Sequence, residues 1–407
     1  MSHLPSTLVR SYLRKAIEWV QEYLSTGGVP LHLFLKNKFR RHASSGGHFP
    51  QLGSRDRRYI SALLYDYFRL GKSFSGRSLE DRMLIGFLIC EQEPALLIQE
   101  LRPEWLPAAA FASPLERAGW FADFRAEDIF PWASELSAGV DAQAYAVSYL
   151  RQPNVFIRIR PGHEDKFAVL PDPIARMSRH TLAAPAAIDL HRWLHAREGV
   201  DYVVQDWASQ QIMEWLLDEL PAGKAGTSHL WTVWDCCAGS GGKSLFLADH
   251  LPMQQLVVTD IRASILTNLR QRFHLAGIRK YRSAVVDVTQ AEATDKILGS
   301  KRFDLIIADV PCSGSGTWAR TPEQLHFFTP EQLQDFHNRQ ISIVKQACRY
   351  LRPGGYLAYI TCSVFRQENE DVADEIRQMG LTYVNGILIT GYAAGGDSMF
   401  MALFRAS

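Results

Sequence analysis

From about Gln205 onward, short apolar runs alternate with segments of helical period, the pattern of buried strands joined by crossover helices. The runs Thr232–Cys236, Leu256–Asp260, Ser283–Asp287, Phe303–Asp309 and Gly355–Thr361 predict five strands, and Thr382–Leu388 and Met399–Phe404 predict two more. Residues 205–407 are therefore expected to form a doubly wound α/β domain on a seven-stranded, mostly parallel sheet. Upstream, apolar positions recur at helical spacing in Leu8–Leu24 and Tyr59–Leu70, where Ile60, Leu63, Leu64, Tyr67 and Phe68 fall on one stripe. Such a stripe is ordinarily core. Residues 1–140 thus read as an all-α domain. Residues 141–204, with a strand over Asn154–Arg160 and a Pro-rich stretch at Pro171–Pro173, read as a small α+β segment.

Composition narrows the class. At 47% hydrophobic and 21% charged, the 407 residues describe an ordinary globular chain. The longest apolar stretches, such as Met83–Cys90, are too short to cross a bilayer, and Met1–Val20 carries no signal-peptide core, so a cytoplasmic protein without a membrane partner is expected. Six cysteines without a C-x-x-C pair build neither a disulfide framework nor a structural metal site. The net charge of +1 conceals a gradient: residues 1–80 hold 13 Lys/Arg against 5 Asp/Glu, and residues 81–140 hold 4 against 10. A basic first segment suits phosphate binding, and equally a solvated helical face.

The first strand runs into Cys237-Ala238-Gly239-Ser240-Gly241-Gly242-Lys243-Ser244 and then a helix. Glycines at such a bend let backbone approach a ligand and leave helix N-terminal N–H groups free. A P-loop requires glycine where Cys237 stands, and a dinucleotide fingerprint requires glycine where Ser244 stands, so neither fits. A loop cradling a methionine moiety fits better. Asp260 closes the next strand, where a carboxylate accepts both ribose hydroxyls, with Arg262 just beyond it, and Asp287 ends the third, placed to meet an adenine. A lone strand-end aspartate is as often a turn former or helix cap. In register, the loop and the two aspartates point to S-adenosylmethionine.

Two cysteines stand fifty residues apart at the ends of apolar runs: Asp309-Val310-Pro311-Cys312 and Thr361-Cys362-Ser363. Carboxyl ends of strands in open α/β sheets face the ligand crevice. A thiolate is the natural nucleophile for an electron-poor ring carbon. Either cysteine alone reads as a small buried hydrophobe.

These motifs, with Val204-Gln205-Asp206-Trp207-Ala208-Ser209-Gln210, Glu368-Asn369-Glu370 and Gly396-Asp397-Ser398-Met399-Phe400, resemble the RNA cytosine-C5 methyltransferases, in particular the bacterial ribosomal RNA group called RsmB, Sun or Fmu. The resemblance covers 205–407 well, 141–204 less, and before that rests on Leu52–Arg58, which has the flavour of a NusB-like RNA-binding helical domain. It implies an S-adenosylmethionine-dependent enzyme that forms 5-methylcytosine in ribosomal RNA, acting as a monomer without a metal. It assigns attack on carbon 6 to Cys362, enzyme release to Cys312, and the ring N3/N4 edge to Asp309. Lys243 would assist substrate or cofactor binding. Three departures are visible: Gly239-Ser240 stands for Ala-Pro, Val310 for Ala, and Arg158-Ile159-Arg160 for Arg-Val-Asn in the RNA-binding segment, which is short for a ferredoxin-like subdomain. Transfer RNA as substrate, or a non-catalytic assembly factor, are the competing readings; a dehydrogenase leaves both thiols unexplained.

Overall fold

The computed structural model describes residues 6–44, 52–221 and 229–407. Two compact units emerge: one drawn from Met1–Ser134, Asp141–Gln152 and Trp318–Phe328, the other from Glu135–Val140, Pro153–Thr317 and Thr329–Ser407.

The first unit is helical, with helices at Ser6–Thr26, Leu31–Ser44, Ser54–Arg69 and Leu79–Cys90. The stripe read in the sequence is buried: Ile60, Leu63 and Leu64 are fully covered. Helix Leu79–Cys90 is apolar on all sides from Met83 to Ile89 and is buried there throughout. It crosses helix Ser54–Arg69 at Gly86, where a Cβ would stand 2.5 Å from the Asp66 carbonyl oxygen. The segment Trp318–Phe328, distant in sequence, completes this core. Trp318 packs against Phe328 and Trp132, and the Glu323 carboxylate accepts the Leu31 N–H at 3.0 Å. Part of the basic excess of residues 1–80 is spent internally. Arg69 is buried and donates to the carbonyls of Tyr149, Arg151 and Ala319 at 2.9–3.2 Å. Arg55, Arg57 and Arg58 remain exposed, while residues 1–5 and 45–51 of that segment lie outside the described residues.

The second unit carries two sheets. The smaller comprises β1 (Val155–Ile159), β2 (Ala175–Arg176), β3 (Thr181–Ala184) and β4 (Tyr202–Val204), antiparallel in the order β2-β3-β1-β4. Its Arg-Ile-Arg run has a structural reason. Arg158 and Arg160 both pair with the buried Asp249 carboxylate, at 2.8 and 2.7 Å. Arg158 also donates to Gln205 Oε1 at 2.8 Å and lies over the Phe246 ring. The two arginines thereby fasten this sheet to the domain that follows, and a buried cation there is matched by a buried anion.

The larger sheet holds β5 (Trp231–Asp235), β6 (Met253–Asp260), β7 (Arg282–Val285), β8 (Phe303–Asp309), β9 (Leu351–Thr361), β10 (Thr382–Thr390) and β11 (Ser398–Arg405), in the order β10-β11-β9-β8-β5-β6-β7. Strands β5 to β9 are parallel; β11 runs antiparallel to β9, and β10, antiparallel to β11, points the same way as the parallel strands. All seven strands read from the sequence are present. Helices cover both faces, so β5 is buried along its whole length, as sheets of this kind require. The chain winds one way through β6 and β7 and the other way through β8 and β9. The crevice outside the carboxyl ends of β5 and β8 is therefore the switch point where ligands bind in such folds. Strand bounds shift by a few residues, with β6 and β9 starting earlier than expected, at Met253 and Leu351, and one shift bears on the site. β7 stops at Val285, and Asp287 lies beyond it, accepting the backbone N–H and hydroxyl of Thr289 at 3.0 and 2.7 Å.

Candidate active site

β5 delivers the chain to the glycine loop, and the helix Gly242–His250 carries it away. Gly241 sits at φ 82°, where a Cβ would press to 2.8 Å against Leu269 and Phe273, so the loop packs directly on the neighbouring helix. Gly239 is also left-handed, at φ 53°, yet nothing stands within 4 Å of where its Cβ would be. That side is open. It belongs to a cavity of about 300 Å³ lined by Ala238, Gly239, Ser240 and Gly242 of the loop. Lys243, Asp309 and Cys362 line the same cavity from the other side.

Beneath the loop, Asp235 is buried and accepts the Ser244 hydroxyl at 2.6 Å, while its second oxygen has no hydrogen-bond partner. Burial pushes its carboxyl up to about 7, and the nearby charge of Asp309 adds to the effect. Asp260 is treated differently. Burial raises it, but the Arg262 side chain, the Arg262 N–H and the Gly239 N–H outweigh that and hold it below its ordinary value. The Gly239 and Arg262 N–H groups each lie 2.9 Å from its oxygens, and the Arg262 guanidinium reaches them at 3.1 and 3.3 Å. Both carboxylate oxygens are thus engaged, by two backbone N–H groups and by a guanidinium whose side chain is 63% exposed. Asp260, Arg262, Asp287, Cys237 and Gly241 do not line the cavity.

β8 and β9 are parallel neighbours with Asp309 level with Ile360, so the segments leaving them emerge side by side. The Sγ atoms of Cys312 and Cys362 lie 3.4 Å apart. The two thiols are not equivalent. Cys362 opens onto the cavity, whereas Cys312 does not line it. The contact with Cys362, together with burial, pushes the Cys312 thiol well above its usual range. Lys243 lies 2.6 Å from Asp309 Oδ2. Burial opposes its charge, but Asp309 and then Cys362 outweigh that and leave the ammonium strengthened. The loop after Cys312 is closely fitted: a Cβ on Gly316 would stand 2.1 Å from the Ser398 carbonyl oxygen, and the Gly316 N–H donates to the Cys362 carbonyl at 2.9 Å.

Several lining residues carried no separate signal in the sequence. Arg272 reaches the cavity from the helix Ala263–Leu275 and donates to the Ser240 hydroxyl at 2.9 Å; its position on an exposed helical stretch gave no hint of this. Asp206 and Asp397 line the cavity together, the Asp397 N–H lying 3.2 Å from the Asp206 carboxylate, and both belong to motifs whose roles were unassigned. Among the described residues, no group of three His, Cys, Asp or Glu is placed to hold a metal, and no helix is long and apolar enough to cross a membrane.

Residues 227–381 match the family described as 16S rRNA methyltransferase RsmB/F. The chain is 27% identical over 283 residues to the ribosomal RNA small subunit methyltransferase B of Xanthomonas campestris pv. campestris, covering 67% of this chain and 59% of that protein. It is 34% identical over 170 residues to the protein of the same name from Xylella fastidiosa, covering 41% and 37%. The matches thus span well under two thirds of these relatives. The crystal structure of PH0851 superposes with a TM-score of 0.66 over 99% of each chain at 18% identity, a likeness of fold.

Proposed function

We propose that this chain, whose methyltransferase domain belongs to the RsmB/F family of RNA methyltransferases, forms 5-methylcytosine in ribosomal RNA through a covalent adduct to Cys362. The observation that carries the reading is the 3.4 Å separation of the two thiols, one of which, Cys362, lines the glycine-loop cavity.

Carbon 5 of cytosine is a poor nucleophile. Addition of the Cys362 thiolate to carbon 6 forms an S–C bond and shifts the ring electrons toward carbon 5, which becomes an enamine carbon able to take a methyl group. Loss of the carbon-5 proton then returns the electron pair to the ring and expels the Cys362 sulfur. The carbon-5 proton passes to water, and Cys312, held as a neutral thiol by its neighbour and its burial, assists release by hydrogen-bonding the departing Cys362 thiolate 3.4 Å away. Asp309 receives the N3/N4 edge of the base, and Lys243 fixes the orientation of Asp309 while favouring the Cys362 thiolate.

The residues fit S-adenosylmethionine as cofactor. The open side of Gly239 and the start of helix Gly242–His250 make a cradle for a methionine moiety, and the Asp260 carboxylate, bonded to the Gly239 N–H outside the cavity lining, is the group for a ribose once the Arg262 guanidinium gives way. When bound, that cofactor supplies an electrophilic methyl group. The target base must be single-stranded or flipped from a helix to enter.

Bisulfite mapping of total RNA from cells with and without the gene tests the reading. One ribosomal cytosine is expected to lose its methyl group. Loss of a transfer RNA site instead would move the substrate, and no lost site at all would abandon the enzymatic reading for an assembly factor.

A further inference from the structure

The mechanism above leaves the buried carboxylate of Glu368 unused. Glu368 is fully buried on the turn that follows β9. One of its oxygens accepts the Ser313 N–H at 2.7 Å and the Gln340 side-chain amide at 3.1 Å. The other accepts the Ser313 hydroxyl at 2.5 Å and the Ser363 hydroxyl at 2.6 Å. Ser313 directly follows Cys312, and Ser363 directly follows Cys362. A single carboxylate therefore grips the residue next to each thiol. Its backbone is fixed in turn: the Tyr359 hydroxyl donates to the Glu368 carbonyl, and Asn369 donates to the Ser363 carbonyl at 3.0 Å.

We propose that Glu368 is the positioning residue that holds the Cys312 and Cys362 loops at working distance, so that the thiol that attacks and the thiol that assists release address the same base. The inference rests on the catalytic reading of the pair. A carboxylate suits the task because it only accepts, and four converging donors satisfy it without competition among themselves. Buried in an apolar setting it is costly unless fully bonded, so the four donors and the carboxylate hold one another in a single arrangement. Burial raises the Glu368 carboxyl, with the two serines pulling against it, and its charge adds to the upward push on the Cys312 thiol.

The test measures the pair directly. Diamide takes two electrons and two protons from adjacent thiols and joins them as a disulfide, so its rate with the full chain, read by mass spectrometry of the Cys312–Cys362 cross-link, reports their proximity without reference to methylation. Glu368→Ala is expected to slow cross-linking by roughly tenfold to a hundredfold, and to lower kcat similarly while leaving the KM for S-adenosylmethionine unchanged, the scale expected when reacting groups drift by about an ångström. Glu368→Gln, which keeps the shape and lets the serine hydroxyls reorient, should restore most of both. Should Glu368→Ala not fold, the double variant Ser313→Ala/Ser363→Ala decides, with the same expectation. Cross-linking at the wild-type rate in a folded variant, or slowed cross-linking with unchanged kcat, overturns the proposal. A wild-type chain that methylates no RNA would instead defeat the functional reading, and a slowed cross-link in the variant would still support Glu368 as the group that sets the spacing.

Discussion

Lys243 Nζ lies 2.6 Å from Asp309 Oδ2, at the cavity wall that also presents Cys362. The lysine comes from the first turn of the helix after the glycine loop and the aspartate from the end of β8, so the glycine loop and the end of β8 are joined by an ion pair. The ammonium is nearly covered, its side chain 12% exposed, and its charge acts on Cys362 with little screening by water. Replacing it with a neutral side chain of similar reach removes both effects. Lys243→Met is expected to slow formation of the covalent RNA adduct by about a hundredfold, the lower end of what a positioned proton-transfer or thiolate-stabilising group contributes. Quenched-flow timing of the adduct, in a Cys312→Ala background where it accumulates, measures this; an unchanged rate would remove Lys243 from the site.

Asp260 makes a different demand. Its oxygens are engaged by the Gly239 N–H and by Arg262, so in the proposed site a ribose would take the place of the Arg262 guanidinium. Asp260→Ala is expected to weaken S-adenosylmethionine binding by roughly 1.5–3 kcal/mol, the range for hydrogen bonds to charged groups. Arg262→Ala should leave binding equal or tighter, because it frees the carboxylate. Titration calorimetry on both variants checks the pair, and the assignment fails if Asp260→Ala binds normally while folded.

How far these features could be read from the sequence follows from what fixes each. The central strands of the larger sheet were legible because they are buried on both faces and leave apolar runs, Phe303–Asp309 being the clearest, whereas the edge strands β7 and β10 are only partly covered. The thiols were legible because a proline or threonine just before each cysteine marks a strand end. Asp287 was misplaced by two residues: β7 pairs with β6 only as far as Val285, and the end of a sheet-edge strand is set by its partner, which no local pattern records. Arg69 reads as part of a basic patch, yet it is spent on three carbonyls of its own unit. The membership of Trp318–Phe328 in the helical unit was hidden for the same reason, since Glu323 meets Leu31 only in three dimensions. Glu368 stood in a recognisable motif, but a role that consists of four simultaneous acceptances has no signature in spacing.

Asp235 gives the fold a pH dependence. Its carboxyl stands at about 7 in the folded chain against 3.8 for the free group, so the unfolded chain loses this proton first as pH rises. The contribution to stability is fully present below about pH 4 and is lost progressively as pH rises to about 7. The loss amounts to on the order of 4 kcal/mol at about 1.4 kcal/mol per unit. Asp235→Asn keeps an acceptor for the Ser244 hydroxyl and cannot ionise. It is expected to be more stable than the native chain at pH 8 and to flatten the denaturation midpoint between pH 4 and 7. Parallel pH profiles of the two proteins would sink the assignment of this titration to Asp235.

The proposed division of labour between the thiols gives the sharpest test of the mechanism. Cys362 opens onto the cavity beside Lys243, and Cys312 sits behind it as a neutral thiol. If Cys362 attacks carbon 6, then Cys362→Ala forms neither adduct nor product. If Cys312 assists expulsion after methyl transfer, Cys312→Ala still attacks but releases slowly. It is then expected to accumulate as a covalent protein–RNA complex, seen as a shifted band that survives denaturant. The double variant should show no band, because release matters only once attack has occurred, and this non-additivity marks residues that act in sequence. The reverse pattern, with Cys362→Ala trapped and Cys312→Ala inert, would exchange the two roles. Full methylation by both single variants would leave the 3.4 Å contact as packing alone and end the catalytic reading.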